Sequence, residues 1–219
     1  MPDFKYERAV LKEHPDAVIA GIDEVGCAPL AGPVVAAAVI LDQEKLPKVL
    51  RDGLDDSKKL SLARREEYCA LLLSCGAAVC GVGRAEVREI DSLNILYASH
   101  LAWRRALDSL GRAVTMALID GNRPPKDFPC AVQTIVKGDG KSLSIAAASV
   151  IAKVTRDRYM KELALKHPGY GWETNVGYPT KTHRDAIIAL GLTPHHRRSF
   201  GLVREQLTGP EAVQTDLPL

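Results

Sequence analysis

Apolar residues come in short blocks along this chain, and several blocks end on an acid or a glycine. Residues 18–23 form an apolar run that closes on Asp23 and Glu24; residues 34–41 form a second, behind the turn Gly32-Pro33. Runs of this length bounded by turn formers read as buried strands, here a hairpin-like pair. Ser61 is placed to open a helix whose wet side carries Arg64, Glu66 and Glu67 and which ends near Cys75-Gly76. Residues 78–83 read as a third strand. From 91 to 110, Leu93, Leu96, Tyr97, Leu101 and Leu107 keep a helical period and predict one long helix. Strands follow at 114–119 and 131–136, then an alanine-rich helix at 144–161 and a helix at 180–190 with Gly191 as its C-cap. An antiparallel start followed by alternating helix and strand predicts an α/β fold with helices on the faces of the sheet. The expected organisation is an N-terminal segment (1–16), a domain (17–208) and a loose tail (209–219) rich in turn formers.

Composition narrows this picture. The 219 residues suffice for one substantial core, and 46% apolar content excludes a disordered chain. With 29 bases against 27 acids the net charge is +2, so a nucleic-acid surface must be local rather than chain-wide. No apolar run is long enough to span a bilayer, and the first fifteen residues lack a signal core, which points to the cytoplasm and away from a membrane. The five cysteines, Cys27, Cys69, Cys75, Cys80 and Cys130, contain no C-x-x-C pair and read as reduced thiols.

The acids carry the chemistry. Side chains alternate along a strand, so Asp23 and Glu24 cannot both face one core, and the strand must end at a polar site. Sheets of this class place their sites at strand ends. Asp120 ends another strand in Ile119-Asp120-Gly121-Asn122, and Asp139, in Lys137-Gly138-Asp139-Gly140-Lys141, precedes the alanine-rich helix. Singly, each has a plainer reading. Asp23-Glu24 is a solvated strand end, Asp120 a turn-forming acid before glycine, and Asp139 an acid at a helix N-terminus. Together, four converging carboxylates would repel one another unless cations sat among them. Oxygen ligands suit Mg²⁺ or Mn²⁺, and two such ions a few ångströms apart suit phosphodiester hydrolysis.

Asp23-Glu24-Val25-Gly26 followed by Pro29-Leu30-Ala31-Gly32-Pro33, Asp56-Ser57-Lys58-Lys59-Leu60, Gly83-Arg84-Ala85-Glu86, Glu89-Ile90-Asp91 and Leu93-Asn94-Ile95-Leu96 stand in order. Ile119-Asp120-Gly121-Asn122, Lys137-Gly138-Asp139, the stretch 146–157, Gly177-Tyr178-Pro179-Thr180 and His195-His196-Arg197-Arg198-Ser199-Phe200 follow. This series resembles ribonuclease HII, the type 2 ribonuclease H family. The resemblance implies an RNase H-like fold: a central five-stranded mixed sheet flanked by helices, with a helical C-terminal extension. It implies endonucleolytic cleavage of the RNA strand of RNA–DNA hybrids and incision at single ribonucleotides in duplex DNA. By position, Asp23, Glu24, Asp120 and Asp139 match the family's metal-binding carboxylates, with two divalent cations, Mg²⁺ or Mn²⁺, as cofactors. Asp157, beside Arg156, reads instead as a structural salt-bridge acid. Tyr178 matches a tyrosine that packs on the deoxyribose next to the ribonucleotide; without the likeness, a turn tyrosine capping the core is the better reading. Ser57, Lys58 and Lys59 offer a hydroxyl and two ammonium groups to phosphate, or else form a solvated turn. The cluster His195-His196-Arg197-Arg198 reads as phosphate contact or helix packing rather than a Zn²⁺ site. Trp103 and Trp172 read as packing residues.

One tripeptide departs from the family. Where Gly-Arg-Gly is usual, this chain has Gly26-Cys27-Ala28. The family's tripeptide approaches the ribonucleotide 2′-hydroxyl through main-chain groups, and its arginine faces phosphate. Cys27 supplies no guanidinium, and Ala28 adds a methyl and disfavours positive φ. Strong selectivity for a lone ribonucleotide is therefore in question, while the metal chemistry is not. Two further readings stay open. A ribonuclease HIII-like hybrid nuclease also lacks Gly-Arg-Gly, but residues 29–33 fit the HII pattern and no extra N-terminal domain precedes the core. A non-catalytic binder of RNA–DNA hybrids would not need four carboxylates. The tail, Gln214-Thr215-Asp216-Leu217-Pro218-Leu219, resembles the short peptides by which bacterial replication and repair proteins bind the sliding clamp. A monomer is expected.

Overall fold

The first two apolar runs pair as an antiparallel hairpin, β1 (Ile19–Val25) with β2 (Val34–Leu41), Gly21 opposite Val39 and Glu24 opposite Ala36. β3 (Ala78–Ala85), β4 (Met116–Asp120) and β5 (Ala131–Ile135) complete a five-stranded sheet in the order β3-β2-β1-β4-β5. β1 runs parallel to β4, and β4 parallel to β5, so the sheet is mixed. The computed structural model describes residues 1–208; the motif from Gln214 to Leu219 lies outside them.

The helices are α1 (Lys5–Glu13), α2 (Lys48–Gly53), α3 (Leu62–Ser74), α4 (Val87–Leu93), α5 (Ile95–Asp108), α6 (Leu143–Lys166), α7 (Trp172–Asn175), α8 (Lys181–Leu190) and α9 (Gly201–Thr208). Two compact units emerge. The first comprises Met1–Val25, Val35–Arg84 and Ser99–Thr155; the second comprises Gly26–Val34, Ala85–Ala98 and Arg156–Leu219, of which residues to 208 are described. In the first, Val39, Leu50, Leu72, Val150 and Ile151 form the main core. In the second, Leu30, Met160, Tyr170, Trp172, Ile187 and Val203 do. The helical C-terminal extension consists of α7, α8 and α9.

Gly21 lets α6 lie directly on β1. A Cβ there would stand 2.1 Å from the Ser144 carbonyl carbon and 2.4 Å from the Ile145 nitrogen. That contact sets the start of α6 against the strand that carries the leading acids.

Two expectations are corrected, and the N-terminal segment gains a helix. The helix expected over 91–110 is two helices, α4 and α5. Asn94 adopts φ +67°, and its Oδ1 accepts from the Leu96 and Tyr97 amides at 3.0 and 3.3 Å, opening a new helix. α4 itself begins earlier, on a capping box formed by Glu86 and Glu89. The N-terminal segment holds a docked helix: Glu7 is buried and its Oε1 accepts from Ser142 Oγ (2.6 Å), Ser144 Oγ (2.7 Å) and the Ser144 amide (3.0 Å). A charge on α1 thus caps the N-terminus of α6. The strand expected to stop at Asp23 continues to Val25, so both leading acids lie within β1.

Candidate active site

Strand alternation separates the two acids of β1. Asp23 is on the α6 side, where the Ser149 hydroxyl hydrogen-bonds it. Glu24 is held by Trp103 of α5, whose indole Nε1 donates to Glu24 Oε2 at 2.9 Å. Trp103 is buried, as its reading as a packing residue requires, but its polar edge also fixes a carboxylate. Asp120 ends β4, one step past the pairing of Ile22 with Ile119 and therefore level with Asp23. Asp139 sits in a short 3₁₀ turn, Gly138–Gly140, between β5 and α6. The Gly138 amide at the start of that turn donates to Asp120 Oδ1 at 2.7 Å, tying the two acids together. All four carboxylates belong to the first unit.

Their charges act on one another. The Asp23 carboxyl is held well above the usual carboxylate range, first by burial, then by Glu24 and Asp120, with Asp139 adding to the shift and Ser149 opposing it. Asp139 is raised by burial, Asp120 and Asp56, against the pull of Lys58 and the Gly140 amide. Among the described residues, no three side chains of His, Cys, Asp or Glu close tightly enough to hold an ion as they stand. The donor set is anionic and all oxygen, which fits a hard divalent cation and excludes the softer nitrogen and sulfur sites.

Ser57, Lys58 and Lys59 fall in different places. Ser57 is 1% exposed and its Oγ lies 2.8 Å from Ser149 Oγ. Its hydroxyl is thus engaged with Ser149, the residue that also hydrogen-bonds Asp23. Lys58 is exposed, with Nζ 3.5 Å from Asp56 Oδ1 and 3.8 Å from Asp139 Oδ2. Burial would lower its pKa, but Asp56, Asp23 and Asp139 outweigh that and raise it. Lys59 is paired with Asp55 at 2.8 Å.

The second unit holds the tripeptide and Tyr178. Gly26 is buried at φ +102°, and a Cβ there would meet Arg156 Nε at 2.2 Å, so only glycine fits. Cys27 is half-buried and Ala28 exposed. The basic cluster expected to meet phosphate or pack a helix divides. Arg197 is fully buried and donates to the carbonyls of Gly26 (2.6 Å), Cys27 (3.0 Å) and Gly32 (2.9 Å), while Arg198 is exposed. Arg156, equally buried, donates to Pro33, Ala31 and Val176 carbonyls at 3.0–3.1 Å, and the neighbouring Asp157 charge supports it. Neither arginine was expected to shape the tripeptide.

Tyr178 is 37% exposed. Its carbonyl accepts from His183 Nδ1 at 2.9 Å, and the buried Trp172 donates through Nε1 to His183 Nε2 at 2.9 Å. His196 Nδ1 accepts from the Thr193 amide at 2.9 Å, so its proton sits on Nε2, 3.2 Å from His183 Nε2. Both imidazoles are thus neutral with fixed tautomers, in line with a His196 pKa lowered to about 4 by burial and then by His183. The histidines pack the Tyr178 turn.

The family model described as Ribonuclease HII matches residues 20–203. A protein named Ribonuclease HII from Paramagnetospirillum magneticum is 56% identical over 207 residues, 94% of this chain and 99% of that protein. Among solved structures, the ribonuclease H2 of Pyrococcus horikoshii OT3 superposes with TM-score 0.69 at 30% identity, over 86% of this chain and 96% of that one. The RNase HII of Archaeoglobus fulgidus, solved in a PCNA:RNase HII complex, superposes with TM-score 0.69 at 26% identity, over 84% and 95%.

Proposed function

The chain belongs to the ribonuclease HII family and is a ribonuclease H endonuclease, and on that premise we propose that it cleaves the RNA strand of RNA–DNA hybrids and incises at single ribonucleotides in duplex DNA. The observation that carries the reading is the placement of Asp23 and Glu24 on β1 beside Asp120 at the end of the neighbouring β4, with Asp139 in the turn that hydrogen-bonds Asp120. Asp23, Glu24, Asp120 and Asp139 hold two divalent cations, Mg²⁺ or Mn²⁺. The chemistry supplied by such a pair is activation of water for attack at phosphorus and stabilisation of the departing 3′-oxygen. The products are a 3′-hydroxyl and a 5′-phosphate. Ser149, Trp103 and the Gly138 amide orient three of the four carboxylates. Lys58, exposed beside Asp139, positions backbone phosphate.

In the second unit, Gly26, Cys27 and Ala28 face the 2′-hydroxyl through their main chain, and Tyr178 packs on the sugar beside the ribonucleotide. The enzyme works as a cytoplasmic monomer. The test is cleavage of a uniform hybrid and of a single-ribonucleotide duplex, side by side, with Mg²⁺, with Mn²⁺ and with chelator. Cleavage that persists undiminished in chelator would defeat the metal reading.

Because Cys27 lacks a guanidinium, selectivity for a lone ribonucleotide is weaker than in a Gly-Arg-Gly enzyme. Cys27→Arg combined with Ala28→Gly is expected to raise single-ribonucleotide incision about tenfold relative to hybrid cleavage, the equivalent of one good hydrogen bond. Equal changes on both substrates would show that the tripeptide does not set this preference.

A sliding clamp is the proposed partner of the Gln214–Leu219 motif. The solved PCNA:RNase HII complex from Archaeoglobus fulgidus supports that partner class. Full-length protein is expected to bind clamp measurably and a chain ending at Val213 not to. Equal affinities in a direct binding assay would remove the tail from consideration.

A further inference from the structure

Arg156 and Arg197 are two guanidinium groups buried in one unit, and their hydrogen-bond partners given above are all main-chain carbonyls. Burying a charge requires a strong compensating partner. Here aligned peptide dipoles supply it, and they come from the 26–33 loop and from Val176, two residues before Tyr178. Arg197 is lowered to about 9, first by burial and then by Arg156, so it remains charged at neutral pH.

The consequence lies in the peptide planes. No cis peptide bond is present among the described residues, so each carbonyl there and the following N–H point in opposite directions. The Gly26 and Cys27 carbonyls both point at the Arg197 guanidinium. The N–H groups that share those planes, on Cys27 and Ala28, therefore point away from it, and Ala28 is exposed. Two successive amides aimed to one side form a concavity that suits an oxygen acceptor. A cation on the carbonyl side polarises both peptides and strengthens their N–H groups as donors.

We propose that Arg197 is the positioning residue for ribonucleotide recognition in this chain: its buried guanidinium aims the Cys27 and Ala28 amides at the 2′-hydroxyl oxygen. This rests on the reading of the tripeptide given above. Arg197 supplies from behind the loop a positive charge that Cys27 cannot supply within it. Arg156 packs against Gly26 and donates to the Ala31, Pro33 and Val176 carbonyls, whereas Arg197 donates to the Gly26 and Cys27 carbonyls of those two peptide planes. Losing the Arg197 fork should therefore disturb the two planes more than losing the Arg156 fork.

The experiment compares wild type, Arg197→Lys, Arg197→Gln and Arg156→Lys. Lysine keeps the charge without the fork; glutamine keeps a planar amide donor without the charge. The readout is kcat/KM on a duplex with one ribonucleotide against the same duplex with a 2′-fluoro sugar there, alongside thermal melting. Wild type is expected to prefer the 2′-hydroxyl. Either Arg197 variant that melts cooperatively should lose about tenfold or more of that preference, since a site that hydrogen-bonds a hydroxyl discriminates through it. Arg156→Lys should melt lower and lose clearly less of the preference than a folded Arg197 variant. A preference intact in a folded Arg197 variant, or lost equally in Arg156→Lys, overturns the proposal. Independently of any variant, the wild-type Cys27 and Ala28 amide resonances should shift in chelator with the ribonucleotide duplex and not with the all-DNA duplex; identical spectra overturn it too. Wild type that cuts the hybrid but is indifferent to the 2′-substituent defeats the tripeptide reading; wild type that discriminates while the Arg197 variants also do defeats only this inference.

Discussion

Asp139→Asn is expected to lower kcat on a uniform RNA–DNA hybrid by roughly a hundredfold or more, beyond the 10–100-fold typical of losing only an outer partner of a metal ligand. The substitution keeps side-chain volume and removes one negative charge. Asp139 is raised by burial and by Asp120 and Asp56, so its charge is held at a cost in the absence of cations. Removing it relieves repulsion, and the metal-free variant should melt no lower than wild type. Loss of activity with stability retained or raised is the signature of a carboxylate kept for cation binding. Asp157→Asn is the control. That acid lies in α6 beside Arg156, within the second unit, and its loss should leave catalysis within a few-fold of wild type. The readouts are single-turnover cleavage at saturating Mg²⁺ and the melting temperature in chelator. Near-full activity in Asp139→Asn together with loss in Asp157→Asn would reverse the assignment of the fourth acid.

The acids were legible because they break a pattern. An apolar run that ends on Asp23 and Glu24, and another on Asp120, cannot be explained by core packing, and β1 and β4 are neighbours in the sheet. Asp139 was legible through its place before an alanine-rich helix. What holds these acids was hidden, because Trp103 and Ser149 look like ordinary helix residues until α5 and α6 are laid on the strands. The arginines were harder still. Arg197 reaches Gly26 across 171 positions of sequence, and a run of four basic residues looks like a solvated surface until its members are separated by burial. Asn94 could have been read, since an asparagine before Ile95 is a helix N-cap; the unbroken leucine period concealed it. The buried Glu7 gave no signal, because its partners begin a helix far along the chain.

Gly21→Ala should be the most damaging single methyl added to the sheet. The new Cβ would lie 2.1, 2.4 and 2.5 Å from Ser144 C, Ile145 N and Ser144 O, all backbone atoms, so no side-chain rotation relieves the contact. β1 sits between β2 and β4, and the start of α6 is capped by Glu7, so both partners resist moving. Overpacking of this kind costs about 3 kcal/mol at the upper end of its usual range. For a chain of this size that corresponds to a melting temperature lower by about 6–12 °C. Catalysis should fall with it, since Asp23 lies on the same face of β1 and leans on Ser149 of the displaced helix. Gly201→Ala is the control: nothing lies within 4 Å of its added Cβ, and alanine is the better helix former in α9. It should melt within about 2 °C of wild type. If Gly21→Ala also melts there and cleaves normally, α6 yields to the strand, and close packing at Gly21 is not what holds Asp23 in place.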